Sequence, residues 1–142
     1  MLGGFTDFVV PSLAVRAHGA ITGLANVSPV SHGFRFWPVM LALMVRFLQY
    51  ASARLYELAA AMVKDPSKFE EANRVQGIVA NADYILAQGG VSGTKGILEK
   101  LYGYGGQCRR PLPQIEPATL QTLWEHPHVQ ALIELERSLA QR

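Results

Sequence analysis

Apolar residues recur every three or four positions through most of the second half of the chain, the period of amphipathic helices. Phe69, Ala72, Val75, Val79, Ala82 and Leu86 form the longest such stripe. Ser67 and Glu70 have the spacing of a capping box at its start, and Gly89-Gly90 marks its end. Another helix is expected to open within Ser92, Gly93 and Thr94, with Ile97, Leu98, Leu101 and Tyr102 on one face and Gly103 as its stop. A last pair follows. Its first member opens at Pro117 and carries Leu120, Leu123 and Trp124; its second starts near Pro127 and carries Val129, Leu132, Ile133 and Leu139.

The first third reads differently. Phe8, Val9, Leu13 and Ala14 are helically spaced, with Pro11 tolerable in a first turn, so a short helix is expected there. Residues 18–27 are apolar, Gly-punctuated and followed by Ser28-Pro29, which suits a buried parallel strand opening into a loop. This is the one clear strand in the sequence, and no other stretch reads as the neighbour it needs. From Pro38 a helix is expected to run to about Lys64, stopped by Asp65-Pro66. Its apolar start invites a membrane reading, but Arg35 and Arg46 bracket only ten residues, against about 20 for a bilayer span. The chain is therefore expected to be mostly α, with one unit over 1–64 and a helical cap over 65–142.

Two blocks carry a family resemblance. Gly3-Gly4-Phe5-Thr6-Asp7-Phe8, then His18-Gly19-Ala20-Ile21 and Ala25-Asn26-Val27, resemble the last part of the dihydrodipicolinate synthase and N-acetylneuraminate lyase family. Residues 101–112, from Leu101-Tyr102-Gly103 to Arg110-Pro111-Leu112, resemble its branch of 4-hydroxy-2-oxoglutarate and 2-keto-3-deoxy sugar acid aldolases. The resemblance implies the C-terminal fragment of a (β/α)8 TIM barrel with a helical extension, and a lyase that joins or releases pyruvate through a lysine Schiff base. It implies no metal and no organic cofactor, because the lysine imine is the electron sink. A small 2-keto acid, pyruvate, is the implied partner, and a homo-oligomer the implied assembly of the whole enzyme. Which keto acid is used stays open among 4-hydroxy-2-oxoglutarate, 2-keto-3-deoxygalactonate and dihydrodipicolinate chemistry.

The resemblance also isolates residues 30–49. Without them, Ala25-Asn26-Val27-Ser28-Pro29 joins Tyr50-Ala51-Ser52 in the continuous strand-to-helix passage of the family. An in-frame retained intron of twenty codons is the expectation for this segment. The alternative function, from a different class, is a small helical interaction module using the apolar residues 39–48.

Composition sharpens this in three ways. At 142 residues the chain falls well short of the roughly 250 of a whole barrel, so the remainder is expected before Met1. With 49% apolar residues, 17% charged ones and a net charge of +2 it has the makeup of a core-forming protein, and its scattered basic residues do not point to nucleic acid. Cys108 is the single cysteine, which excludes an internal disulfide. No targeting segment is legible at the N-terminus, leaving cytoplasmic and mitochondrial locations open.

A Schiff-base nucleophile must be desolvated or paired with another cation to be neutral at working pH. Lys64, Lys68, Lys95 and Lys100 all fall on polar helix faces or helix ends, so none is expected to be that lysine. The resemblance places it, with its tyrosine partner, before Met1, and assigns Gly4 and Ile21 to the wall of the keto-acid site. Phe5 and Thr6 stand where other members carry more acidic residues. Gly103-Tyr104-Gly105-Gly106 follows a helix where a phosphate cradle would follow a strand, and is expected to be a helix stop. Glu125-His126-Pro127-His128 has metal-ligand residue types with no third cluster to complete a site. His18 is expected to be structural, and Cys108 to lack a catalytic base.

Overall fold

In the computed structural model the structure describes residues 2–4, 6–21 and 50–141. Residues 22–49, with the segment 30–49 and the helix start expected at Pro38, lie outside the described residues. The chain is mostly helical, as the sequence patterning and the family resemblance imply.

Strand β1 (Leu2–Gly3) leads through helix α1 (Val9–Ala14) to strand β2 (Gly19–Ala20). The two strands pair in parallel, Leu2 opposite Gly19 and Gly3 opposite Ala20. The strand expected over 18–27 is thus described as two residues, and it has a neighbour that the sequence did not reveal. Two residues beside glycines carry no alternation to read, so β1 becomes a strand only through its partner. Between the strands the chain reverses at Arg16, in the left-handed conformation with φ +65°, while Ala17 N–H reaches back to Ser12 O at 2.9 Å.

Helix α2 spans Tyr50–Met62. Its first backbone N–H, at Tyr50, donates to Glu136 Oε2 at 3.0 Å, so a carboxylate from a distant helix satisfies the N-terminal donor. Asp65 then caps a short 3-10 turn, Pro66–Lys68, by accepting the Ser67 N–H at 3.0 Å. This corrects the expected capping box: the cap is Asp65, and helix α3 (Phe69–Gln88) continues from the turn with no side-chain cap of its own. Helix α4 (Gly90–Tyr102) starts two residues earlier than the pattern suggested and ends at Gly103, φ +73°. Helices α5 (Pro117–Glu125) and α6 (Pro127–Ala140) open at the two expected prolines.

One core unites these elements. It joins Val9 and Val10 of α1 to Leu55 and Leu58 of α2, to Ala72, Val75, Val79, Ala82 and Leu86 of α3, and to Ile97, Leu123, Val129, Leu132 and Ile133 beyond. Phe69, counted into the α3 stripe from its spacing, is instead 55% exposed. Helix α3 is the central element, packed on α1, α2, α4 and α6. No helix among the described residues is long and apolar enough to cross a membrane.

Candidate functional site

The two residues that the family resemblance singles out both follow the end of the parallel strand pair. Since Gly3 faces Ala20, the next positions along the two strands are Gly4 and Ile21. Both lie just past the C-terminal ends of β1 and β2, the edge at which β/α barrels build their sites. Gly4 is exposed, and a Cβ placed on it would meet nothing within 4 Å, while the Ile21 side chain is 70% exposed. Each residue thus follows the end of a paired strand, on open backbone rather than in packed core.

Behind this edge, the turn from Gly4 to α1 is held by α3. Gln76 Oε1 accepts the Val10 N–H at 2.8 Å, and Gln76 Nε2 donates to Thr6 O at 2.9 Å. Asp83 accepts the Thr6 backbone N–H. Phe8, at the α1 N-cap position, makes no side-chain cap, so Gln76 does that work across 66 residues of sequence. Gln76 and Asp83 are seven residues apart, two helical turns, and so share the inner face of α3 with its apolar stripe. Burial pushes the Asp83 carboxyl above the usual aspartate range, and the nearby Asp7 charge pushes the same way, against the Thr6 hydrogen bond. One Asp83 oxygen, Oδ2, is buried without a hydrogen-bond partner. Sequence reading missed Gln76 and Asp83 because each looks like an ordinary polar interruption of a helix; the signal was their seven-residue spacing within the stripe.

The other candidates are dispersed. Lys64, Lys68 and Lys100 are exposed, and Lys95 Nζ donates to Gln107 O at 2.8 Å. Lys100 Nζ instead donates to Gln121 Oε1 at 2.5 Å and lies 5.4 Å from the centre of the Trp124 ring. Gly103-Tyr104-Gly105-Gly106 is a helix stop, its Gly103 N–H bonded to Glu99 O at 2.9 Å. Cys108 is buried beside Ser92, with 3.4 Å between Sγ and Oγ, and both its backbone groups bond the Gln114 amide. His126 caps α6 through its own ring, accepting the His128 N–H at 3.3 Å. No cluster of metal-ligating side chains occurs among the described residues. His18 offers its carbonyl to the Tyr56 hydroxyl at 3.2 Å.

A short parallel β-α-β passage with open backbone at its C-terminal edge, backed by a helical layer, is the architecture of a β/α-barrel segment. Comparison with known proteins gives that segment its relatives. The chain is 32% identical over 137 residues to the probable mitochondrial 4-hydroxy-2-oxoglutarate aldolase of Emericella nidulans, and 28% identical to the L-threo-3-deoxy-hexylosonate aldolases of Aspergillus niger and Hypocrea jecorina. Each match takes in 96% of this chain but only 33–36% of the relative, so the chain spans about a third of the length of these curated proteins. Its fold is similar to N-acetylneuraminate lyase from Fusobacterium nucleatum in complex with pyruvate, with a TM-score of 0.60 at 22% identity over 97% of this chain and 36% of that one. No protein-family model matches. The chain thus resembles the dihydrodipicolinate synthase and N-acetylneuraminate lyase family over nearly its whole length, as its two sequence blocks implied.

Proposed function

We propose that this chain is part of a pyruvate-dependent lyase, a class I aldolase that makes or breaks a carbon–carbon bond beside a 2-keto acid. The observation that carries the reading is the parallel pairing of β1 with β2, which ends at Gly3 and Ala20, one residue before Gly4 and Ile21, in a chain similar to aldolases. At Gly4 the missing side chain lets a substrate approach the backbone, and Ile21, just past the end of β2, offers main-chain groups, so that the two contribute to one wall of a keto-acid pocket.

The Schiff-base lysine and its tyrosine partner come from a segment other than this one. In such a reaction the lysine amine attacks the keto carbon, water leaves, and the protonated imine accepts the electron pair released as the carbon–carbon bond breaks. This chain's share is to shape and desolvate the keto-acid end. The division into a barrel end, 1–64, and a helical cap, 65–142, belongs to the same proposal, as does a homo-oligomeric whole enzyme. The residues of the alternative interaction surface, 39–48, lie outside the described ones, and no observation favours it.

Borohydride reduction in the presence of pyruvate tests the reading. This chain alone is expected to gain no reduced pyruvate adduct, whereas its assembly with a lysine-bearing barrel segment from a related aldolase should trap one adduct, on the added segment. An adduct on Lys64, Lys68, Lys95 or Lys100, or an assembly with neither adduct nor turnover, overturns it.

A further inference from the structure

We propose that Asp83 is a positioning residue for the keto-acid wall, acting from the helical cap through the Thr6 amide; this rests on the aldolase reading above. Only residues 5–8 separate Gly4 from the start of α1, so the place of Gly4 is set by wherever the turn is anchored. The anchors are on α3: Gln76 holds Thr6 O and the Val10 N–H, and Asp83 holds the Thr6 N–H. Thr6 itself is 2% exposed, two residues from a Gly4 that stands open.

Asp83 is an expensive choice for that place. It is 8% exposed, flanked on its own face by Val79, Ala82 and Leu86, and leaves Oδ2 buried and unbonded. A leucine would extend the apolar stripe without that penalty, but would leave the Thr6 N–H unbonded. The geometry therefore ties the cap to the strand ends: α3 packs by its apolar residues and aligns by its two polar ones.

Asp83→Ala removes the acceptor and Asp83→Asn keeps one. Amide hydrogen exchange on this chain should show Thr6 exchanging about tenfold faster in Asp83→Ala, the scale of one lost hydrogen bond, with α3 amides such as Val79 unchanged and Asp83→Asn close to wild type. Asp83→Leu gives the same reading if the alanine variant unfolds. In the assembly with a lysine-bearing segment, Asp83→Ala should raise the KM for pyruvate several-fold while leaving kcat, and Asp83→Asn should restore it. Unchanged Thr6 exchange overturns the proposal, and so does faster exchange with an unchanged KM. Absence of turnover in the wild-type assembly overturns the aldolase reading and leaves the Thr6 result, read without substrate, to stand by itself.

Discussion

Single residues decide two properties that can be measured directly. At Gly105, φ is +136° and an added Cβ would run into the Lys95 carbonyl oxygen, so the turn after α4 admits no side chain. Gly105→Ala should destabilise the protein by about 2 kcal/mol or more in denaturant unfolding. Asp83 controls a pH dependence. Its carboxyl titrates above its unfolded value, so the native state binds the extra proton, and stability falls as pH rises from about 4 through the raised value, then levels. Asp83→Asn should flatten that fall. Glu71 has the opposite sign: the Arg54 guanidinium, 2.8 Å away, holds it below the usual glutamate range. Its contribution is present at neutral pH and lost as pH drops through the lowered value; being 39% exposed, the pair is worth about 0.5 kcal/mol and less in high salt.

At the scale of elements, helices here are seated by small residues and by borrowed caps. Gly93 and Gly96 of α4, with Gly89 just before it, make the face on which Leu120 and Leu123 of α5 rest; a Cβ at Gly96 would come within 2.7 Å of Leu120 Cδ1. Gly96→Val should therefore cost about 1–3 kcal/mol by forcing α5 away, seen as a lower midpoint in thermal unfolding. Glu136, 3% exposed within the stripe of Val129, Leu132 and Ile133, accepts the Tyr50 N–H at the start of α2. Glu136→Leu should speed hydrogen exchange at Tyr50 and lower stability by about 1 kcal/mol, whereas Glu136→Gln, which keeps an acceptor, should do less. Both Glu136 and Gln76 look in sequence like surface positions of a helix. Each is buried because it finishes the N-terminus of a helix far away along the chain.

At the scale of the molecule, a two-residue parallel pair is too small to stand as a sheet, and its stability comes from the helices behind it. Leu2 at 54% exposed, Ile21 at 70% and Val63 at 62% are apolar surface of a kind that further strands and helices of a barrel would cover. Co-expression with a lysine-bearing barrel segment is expected to raise the soluble yield of this chain and to protect the backbone amides of Gly3 and Ala20 from exchange. If residues 30–49 are a retained intron, transcript reads across the locus should mostly lack those sixty nucleotides.

The sequence by itself determined the helices of the second half of the chain, their proline starts and glycine stops, and the mostly helical class. These are local matters: a period of 3.6, a fixed proline φ and a missing Cβ act within a few residues of chain. The family resemblance singled out Gly4 and Ile21, but the parallel pairing of the strands that they follow, Leu2 on Gly19 and Gly3 on Ala20, was decided by tertiary structure. Tertiary structure also decided which polar residues of α3 and α6 are buried, since the hydrogen bonds that make Gln76, Asp83 and Glu136 tolerable reach groups 66 to 86 residues away, beyond the range of any local pattern.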